Sequence, residues 1–351
     1  MRQINMGVIG VGWIGGIRAV ACAASPQIGQ LHICDIREDR LAEVAKMTNP
    51  ASAVTDYRRL LDNKDIEAIF LSTAPESTHY PLARDCILAG KHVLMEKPIA
   101  ARPEEADELI AMAAERGLKF TVGYSQRFNP KMAYVRRALQ GESIGKPVTV
   151  MVSRHLSRSL GAKISGRTKL SPAAMEATHD IDWVLWALQP RKPVRVYSQS
   201  AYGVHKLTNG AADHMWMTIT MDDGVTFTVG AGWILPPGYP NYCVTTIEVM
   251  ATDGVLFIDD SHKDVLLNTM DGGVQFPMST MPGEVVDHVF VGPMGSETHH
   301  FINAVATDRD VLVKPAEARL VMDCYMAADL SAETHEPVTL PRNAPLPARA
   351  A

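Results

Sequence analysis

Cysteine is scarce and poorly placed for cross-linking. The 351 residues hold only Cys22, Cys34, Cys86, Cys243 and Cys324, odd in number and far apart. That spacing excludes a disulfide framework and the paired cysteines of a zinc site, and it reads as the reduced thiols of a cytoplasmic protein. No apolar run reaches membrane-spanning length and the first residues lead straight into a strand, so neither a transmembrane helix nor a signal peptide is expected. Runs of Lys or Arg are also missing: 34 basic and 39 acidic residues are interspersed, for a net charge of −5. Nucleic acid and membrane are therefore not expected partners. No H-E-x-x-H occurs, and the adjacent His299 and His300 would diverge on a helix, so no metal site is expected. Internal repeats are absent. A chain this long with 46% hydrophobic residues reads as a globular protein of two domains, each with its own core.

What is present begins at the N-terminus. The apolar strand Asn5–Ile9 runs into Gly10-Val11-Gly12-Trp13-Ile14-Gly15. Glycine is required at these spacings for the tight turn, for backbone approach to a pyrophosphate and for close helix–strand packing. A helix starting near Trp13 aims its free N–H groups at the phosphates. The next strand, Leu31–Cys34, ends in Asp35, about 20 residues beyond the motif, where a carboxylate meets the ribose 2′-OH of a dinucleotide. Asp35 repels a 2′-phosphate and so favours NAD, but the neighbouring Arg37 can attract one, which leaves NADP open.

Strands at Ala68–Ser72, His92–Met95 and Lys119–Val122 alternate with amphipathic helices, with Gly90 and Gly117 at helix ends. This is the sequence form of a doubly wound parallel sheet, a Rossmann domain over residues 1–123. Residues 124–351 follow a different grammar and are assigned to a substrate-binding and oligomerisation domain of α+β type with a large open, mostly antiparallel sheet. Helix Pro130–Gln140 leads to strand Val148–Arg154, then a polar stretch from Ser157 to Leu170 and a helix from Pro172 to Leu188. Strands follow at Val194–Tyr202, His214–Met221, Val225–Trp233, Thr245–Ala251 and Val255–Asp259, with Asp223-Gly224 and Asp253-Gly254 as hairpin turns. Helices Ser296–Ala306 and Pro315–Leu330 precede a Pro/Ala-rich tail from Pro341 that reads as mobile or as a subunit contact. Alternation of Met215, Met217, Ile219 and Met221 against Trp216 gives the sheet two apolar faces, and a homodimer or homotetramer formed through it is expected.

Lys97 carries the most chemistry. It follows the buried strand His92–Met95, whose C-terminal end opens onto the ligand crevice of a doubly wound sheet. Pro98 keeps it out of the helical region and makes the preceding bond a candidate cis peptide. A fixed ammonium there can stabilise the alkoxide-like charge that develops as a hydroxyl is oxidised. The structural alternative is an ion pair between Lys97 and Glu96.

Five segments, in order and spacing, resemble the glucose-fructose oxidoreductase / inositol dehydrogenase / rhizopine-catabolism (Gfo/Idh/MocA) family over nearly the whole chain. They are Gly10-x-Gly12-x-x-Gly15, Ser72-Thr73-Ala74-Pro75-Glu76-Ser77-Thr78-His79, Ala89-Gly90-Lys91-His92-Val93-Leu94-Met95-Glu96-Lys97-Pro98, Gly123-Tyr124-Ser125-Gln126-Arg127-Phe128-Asn129-Pro130 and His179-Asp180-Ile181-Asp182. The resemblance implies a catalytic Lys97 and a substrate-facing His179. It implies a cofactor surface of Gly10, Gly12, Trp13, Ile14, Gly15, Asp35, Arg37, Thr73, Ala74, Pro75, His79, Glu96, Lys97 and Gln126, and substrate contacts from Lys97, Arg127, His155 and His179. Inositol dehydrogenase-like members of this family carry an aspartate four residues before the histidine; here that place is Met175, and Glu176 is the candidate replacement, able to share a helix face with His179. Glu76 stands where the family often has Asn. The polar stretch with Arg154, His155, Arg158, Lys163 and Arg167 fits either a substrate lid or a solvated loop. An imidazole titrates near neutral pH and suits His179 to a general-base role. The implied activity is hydride transfer from a secondary hydroxyl of a sugar, sugar acid or cyclitol to nicotinamide. The alternatives are an NADPH-dependent carbonyl or imine reductase and a non-catalytic dinucleotide sensor.

Overall fold

The computed structural model describes residues 2–141, 143–204, 210–278 and 283–341. The tail beyond Pro341 lies outside the described residues. The chain falls into two compact units, one formed by residues 1–128 and 281–319, the other by 129–280 and 320–351.

The first unit is a six-stranded sheet of β1 (Ile4–Ile9), β2 (Ile28–Cys34), β3 (Ser52–Val54), β4 (Ala68–Leu71), β5 (His92–Met95) and β6 (Phe120–Val122). The order is β3-β2-β1-β4-β5-β6, every pair parallel. Helices α1 (Trp13–Ala23), α2 (Glu38–Thr48), α3 (Arg58–Asp62), α4 (His79–Leu88) and α5 (Pro103–Glu115) connect the strands. Strands buried on both faces must be apolar throughout, and β4, Ala-Ile-Phe-Leu, is fully buried along its length. Met6, Val8, Ile33, Phe70 and Leu94 share one core with Phe301 and Ile302 of the helix Pro293–Thr307. The order of strand addition reverses between β1 and β4, one half running outward to β3 and the other to β6, so the loops after these two strands form the switch point where such sheets bind ligands.

In the second unit, α6 (Pro130–Gln140) begins at Asn129, whose side chain accepts from the Lys131 N–H, and Pro130 takes the first helical position. Then come β7 (Pro147–Ser157), α7 (Arg158–Ser165) and α8 (Thr178–Leu188), followed by β8 (Pro193–Ala201), β9 (His214–Met221), β10 (Thr226–Leu235), β11 (Cys243–Ala251) and β12 (Val255–Asp259). The sheet order is β12-β11-β7-β10-β9-β8, with Val338–Thr339 at the far edge. All pairs are antiparallel except β7 with β10. Both Asp-Gly turns close hairpins as expected; Gly224 adopts φ +90° between β9 and β10. Met215, Met217, Ile219 and Met221 are buried on the face against which α8 packs. Trp216 points to the other face and is 42% exposed.

Two expectations need adjusting. The strand expected to stop at Arg154 continues to Ser157, and the polar stretch after it contains the helix α7, capped by the Ser157 hydroxyl accepting from the Leu160 N–H. No helix among the described residues is long and apolar enough to cross a membrane, and the five cysteines are buried and unbridged.

Candidate active site

The switch point of the first unit is shaped by sterics. Gly10 sits at φ +83°, and a Cβ there would lie 2.5 Å from the Ser72 carbonyl oxygen; one on Gly15 would lie 1.8 Å from that of Gly10. Gly12 differs, because a Cβ on it would meet no protein heavy atom within 4 Å. The backbone is therefore open where a pyrophosphate approaches. No side chain caps the N-terminus of α1, which leaves first-turn N–H groups to an anion. Trp13 is exposed and Ile14 half-buried. Arg40, which sequence reading missed, holds the loop through hydrogen bonds to the Val11 and Gly12 carbonyls at 2.8 and 3.2 Å.

Asp35 is set against this loop. One carboxylate oxygen accepts the Val11 N–H at 2.8 Å and the other the Arg37 N–H at 2.9 Å. Arg37 turns its guanidinium to Asp39, at 2.7 Å from Nη2; both side chains are exposed. The residues present fit a dinucleotide with an unmodified ribose diol.

His79 joins the second loop to the third. Its Nδ1 lies 2.8 Å from the Pro98 carbonyl and its Nε2 3.1 Å from the Thr73 carbonyl. It thus spans the Thr73-Ala74-Pro75 loop and the Lys97-Pro98 turn, and both X-Pro bonds are cis. The Thr73 and Thr78 hydroxyls meet at 2.7 Å, and Thr78 also donates to the Pro75 carbonyl. Glu76 is buried rather than solvent-facing. Glu96 does not pair with Lys97; its carboxylate accepts from Arg18 at 2.6 and 3.0 Å. Gln126 and Arg127 are buried on the short turn Ser125–Phe128. The Arg127 guanidinium is bound by Glu317 and the Leu312 carbonyl.

In the second unit, the segment before α8 is wound as a π-helix over Ala173–Ala177, a form that recurs at functional sites. From Pro172 to Leu188 every residue is buried except His179. Met175 lies in an apolar cluster with Leu156, Ile164, Trp233 and Cys243, so this position supplies packing, not a carboxylate. Glu176 is 7% exposed and accepts the Trp233 indole N–H at 2.8 Å. Beside His179, the Asp180 carboxylate takes two hydrogen bonds from Arg154, at 2.6 and 2.8 Å, and one from the Trp183 indole at 3.1 Å. The pair holds the Arg154 guanidinium well above its already high range, against the opposing pull of burial.

His155 goes elsewhere. Arg154 faces α8, so its neighbour in the strand points to the opposite sheet face, where His155 Nε2 meets the Ser153 hydroxyl at 2.9 Å and its ring lies 5.1 Å from that of His214. The structure does not bring His155 to His179.

The comparisons agree with this geometry. Residues 4–124 match the Gfo/Idh/MocA oxidoreductase model with its NAD-binding Rossmann fold, and 132–257 match that family's C-terminal domain. The chain belongs to the Gfo/Idh/MocA oxidoreductase family. As a member it is an NAD-dependent dehydrogenase with a Rossmann domain. Among curated relatives it is 28% identical to the UDP-N-acetylglucosamine 3-dehydrogenase of Acidithiobacillus ferrooxidans, covering 95% of this chain and 98% of that one. It is also 28% identical to inositol 2-dehydrogenase 2 of Paenarthrobacter aurescens, covering 74% and 76%. The fold matches scyllo-inositol dehydrogenase from Lactobacillus casei, solved with NAD(H) and scyllo-inositol, at a TM-score of 0.82 and 20% identity over 96% of this chain and 99% of that one.

Proposed function

We propose that this dehydrogenase oxidises one secondary hydroxyl of a sugar, sugar acid or cyclitol, with Lys97 and His179 as its catalytic pair. The observation that carries the reading is the solvent access of His179 alone in the stretch Pro172–Leu188. A helix that buries all its neighbours and leaves one imidazole reachable presents a proton acceptor. His179 takes the hydroxyl proton, and Lys97 donates a hydrogen bond to the oxygen as it gains negative charge. Glu176, held through Trp233, takes the place of the aspartate absent at Met175.

Gly10, Gly12, Gly15, Asp35 and the Thr73–Pro75 loop hold the dinucleotide, and bound NAD supplies the two-electron oxidant. The Asp39 contact that turns Arg37 aside favours NAD over NADP. Residues 1–123 serve the cofactor, and 124–351 serve the substrate and self-association. The relatives act on UDP-N-acetylglucosamine and inositol, which supports a polyhydroxylated substrate. Buried free thiols support a cytoplasmic location. A homodimer or homotetramer forms through the open sheet face, which exposes Met151, Tyr197, Trp216 and Phe257 and carries a concavity of about 450 Å³ lined by His155, His214 and Trp216.

The test is turnover, followed as NADH absorbance, over a panel of cyclitols, sugars and sugar acids. Lys97→Ala should lower kcat by roughly 10²–10³ with NAD affinity nearly intact. His179→Ala should remove the acid limb of the pH–rate profile. NAD binding without turnover on any compound would instead favour a dinucleotide sensor.

A further inference from the structure

Arg18 lies on α1, three residues past the last motif glycine, and is fully buried among apolar neighbours. A buried guanidinium is tolerated only when its donors are satisfied and its charge is balanced. Here the fork is divided among three partners. Nε and Nη2 go to one Glu96 oxygen, Nη2 also to Glu297 at 2.8 Å, and Nη1 to the Thr298 hydroxyl at 3.2 Å. The cation also stands 5.5 Å from the centre of the Phe70 ring. Gly123 accommodates the pair, since a Cβ on it would press to 3.0–3.2 Å against the guanidinium and the Glu96 carboxylate.

The consequence falls on Lys97. A carboxylate released from its own cation beside an ammonium can turn to pair with it, and an ammonium so paired is withdrawn from the substrate oxygen and harder to deprotonate. Glu96 is instead committed to a permanent cation.

We infer that Arg18 is a positioning residue: by holding the Glu96 carboxylate against Glu297 and Thr298, it prevents Glu96 from capturing Lys97. This rests on the role given to Lys97 above, but its test does not require turnover.

The experiment measures Lys97 acetylation by acetic anhydride, by mass spectrometry, across pH 7–10, in the folded protein with and without NAD. Arg18→Met should slow Lys97 labelling near neutral pH by roughly tenfold. Arg18→Met/Glu96→Gln should return labelling to the wild-type rate, and Glu96→Gln alone should leave it there. A purely structural arginine would give no such rescue. Where turnover is measured, Arg18→Met should lower kcat in step with labelling while KM stays put. If Arg18→Met does not fold, Arg18→Lys and Gly123→Ala, which loosen the pair without removing the cation, should slow labelling by a smaller factor. Wild-type labelling in every folded Arg18 or Gly123 variant, or slow labelling that Glu96→Gln does not restore, overturns the proposal. Normal turnover in Lys97→Ala, by contrast, overturns the catalytic reading of Lys97 and leaves the labelling result standing.

Discussion

Breaking the Arg154–Asp180 pair should be among the costliest single changes in the second unit. Asp180 is fully buried and Arg154 is 8% exposed, and the two hydrogen bonds of 2.6 and 2.8 Å make a bidentate contact. Replacing Arg154 with Met keeps most of the side-chain volume but leaves a buried carboxylate without its cation, for a loss of about 3–5 kcal/mol. In a unit of this size that corresponds to a fall in Tm of roughly 6–20 °C. Asp180→Ala should be worse. It strands the guanidinium and also removes the acceptor of the Trp183 indole, adding about 1–3 kcal/mol. The double variant Arg154→Met/Asp180→Asn keeps an oxygen for Trp183 and removes both charges, so it should recover most of the loss; the coupling between the sites should then amount to at least about 2 kcal/mol. Urea titration of wild type, Arg154→Met, Asp180→Asn and the double variant, followed by far-UV circular dichroism and tryptophan fluorescence, gives all four corners of the cycle. An Arg154→Met protein within about 1 kcal/mol of wild type, or a double variant no better than the worse single one, would refute the reasoning.

Two glycines of the nucleotide loop should separate folding from binding. Gly15→Ala drives a methyl into the Gly10 carbonyl and should lower Tm as well as abolish NAD binding. Gly12→Ala meets no protein atom and should melt like wild type, yet lose roughly tenfold or more in NAD affinity because the methyl stands where the pyrophosphate approaches. Normal NAD affinity in Gly12→Ala would remove that assignment. His214 should make the protein acid-sensitive: burial, then the neighbouring His155, push its pKa down to about 4. The unfolded chain takes up this proton near pH 6.5 and the folded one only near 4, so stability is full above about pH 6.5 and is lost as pH falls toward 4, by about 3 kcal/mol in all. His214→Phe should flatten the decline of Tm between pH 7 and 4.5, and an unchanged slope would show that this imidazole is not the group responsible.

What could be read from the sequence was what short-range sterics and periodicity encode. The glycine loop, the two Asp-Gly hairpins and the apolar strand before Lys97 are local demands on φ, on backbone approach or on a period of two, and each is visible within ten residues. What escaped depends on partners far along the chain or on a change of winding. The Arg18 contacts reach Glu297 and Thr298, about 280 residues away, and nothing in the Ala-rich helix announces them. Arg127, which the resemblance makes a substrate contact, is also bound by Glu317 and the Leu312 carbonyl, partners some 190 and 185 residues away that no local pattern announces. The His155 expectation had a readable remedy. Continuing the alternation of β7 one residue beyond Arg154 puts Arg154 and His155 on opposite faces, so only one of them can meet α8.

The hardest case is the carboxylate near His179, because identity and geometry change together there. A regular helix would compare Met175 and Glu176 with His179 by counting four and three residues back. The π-helical turn over Ala173–Ala177 inserts a wider step into that count, so spacing alone no longer decides which side chain shares the histidine's face. Packing decides it instead. Met175 completes an apolar cluster on one side, and Trp233 contributes to that cluster while its indole N–H fixes Glu176. One tryptophan thus buries the methionine and orients the glutamate, and replacing Met175 by aspartate would set a charge among Leu156, Ile164 and Cys243 rather than restore the family's motif.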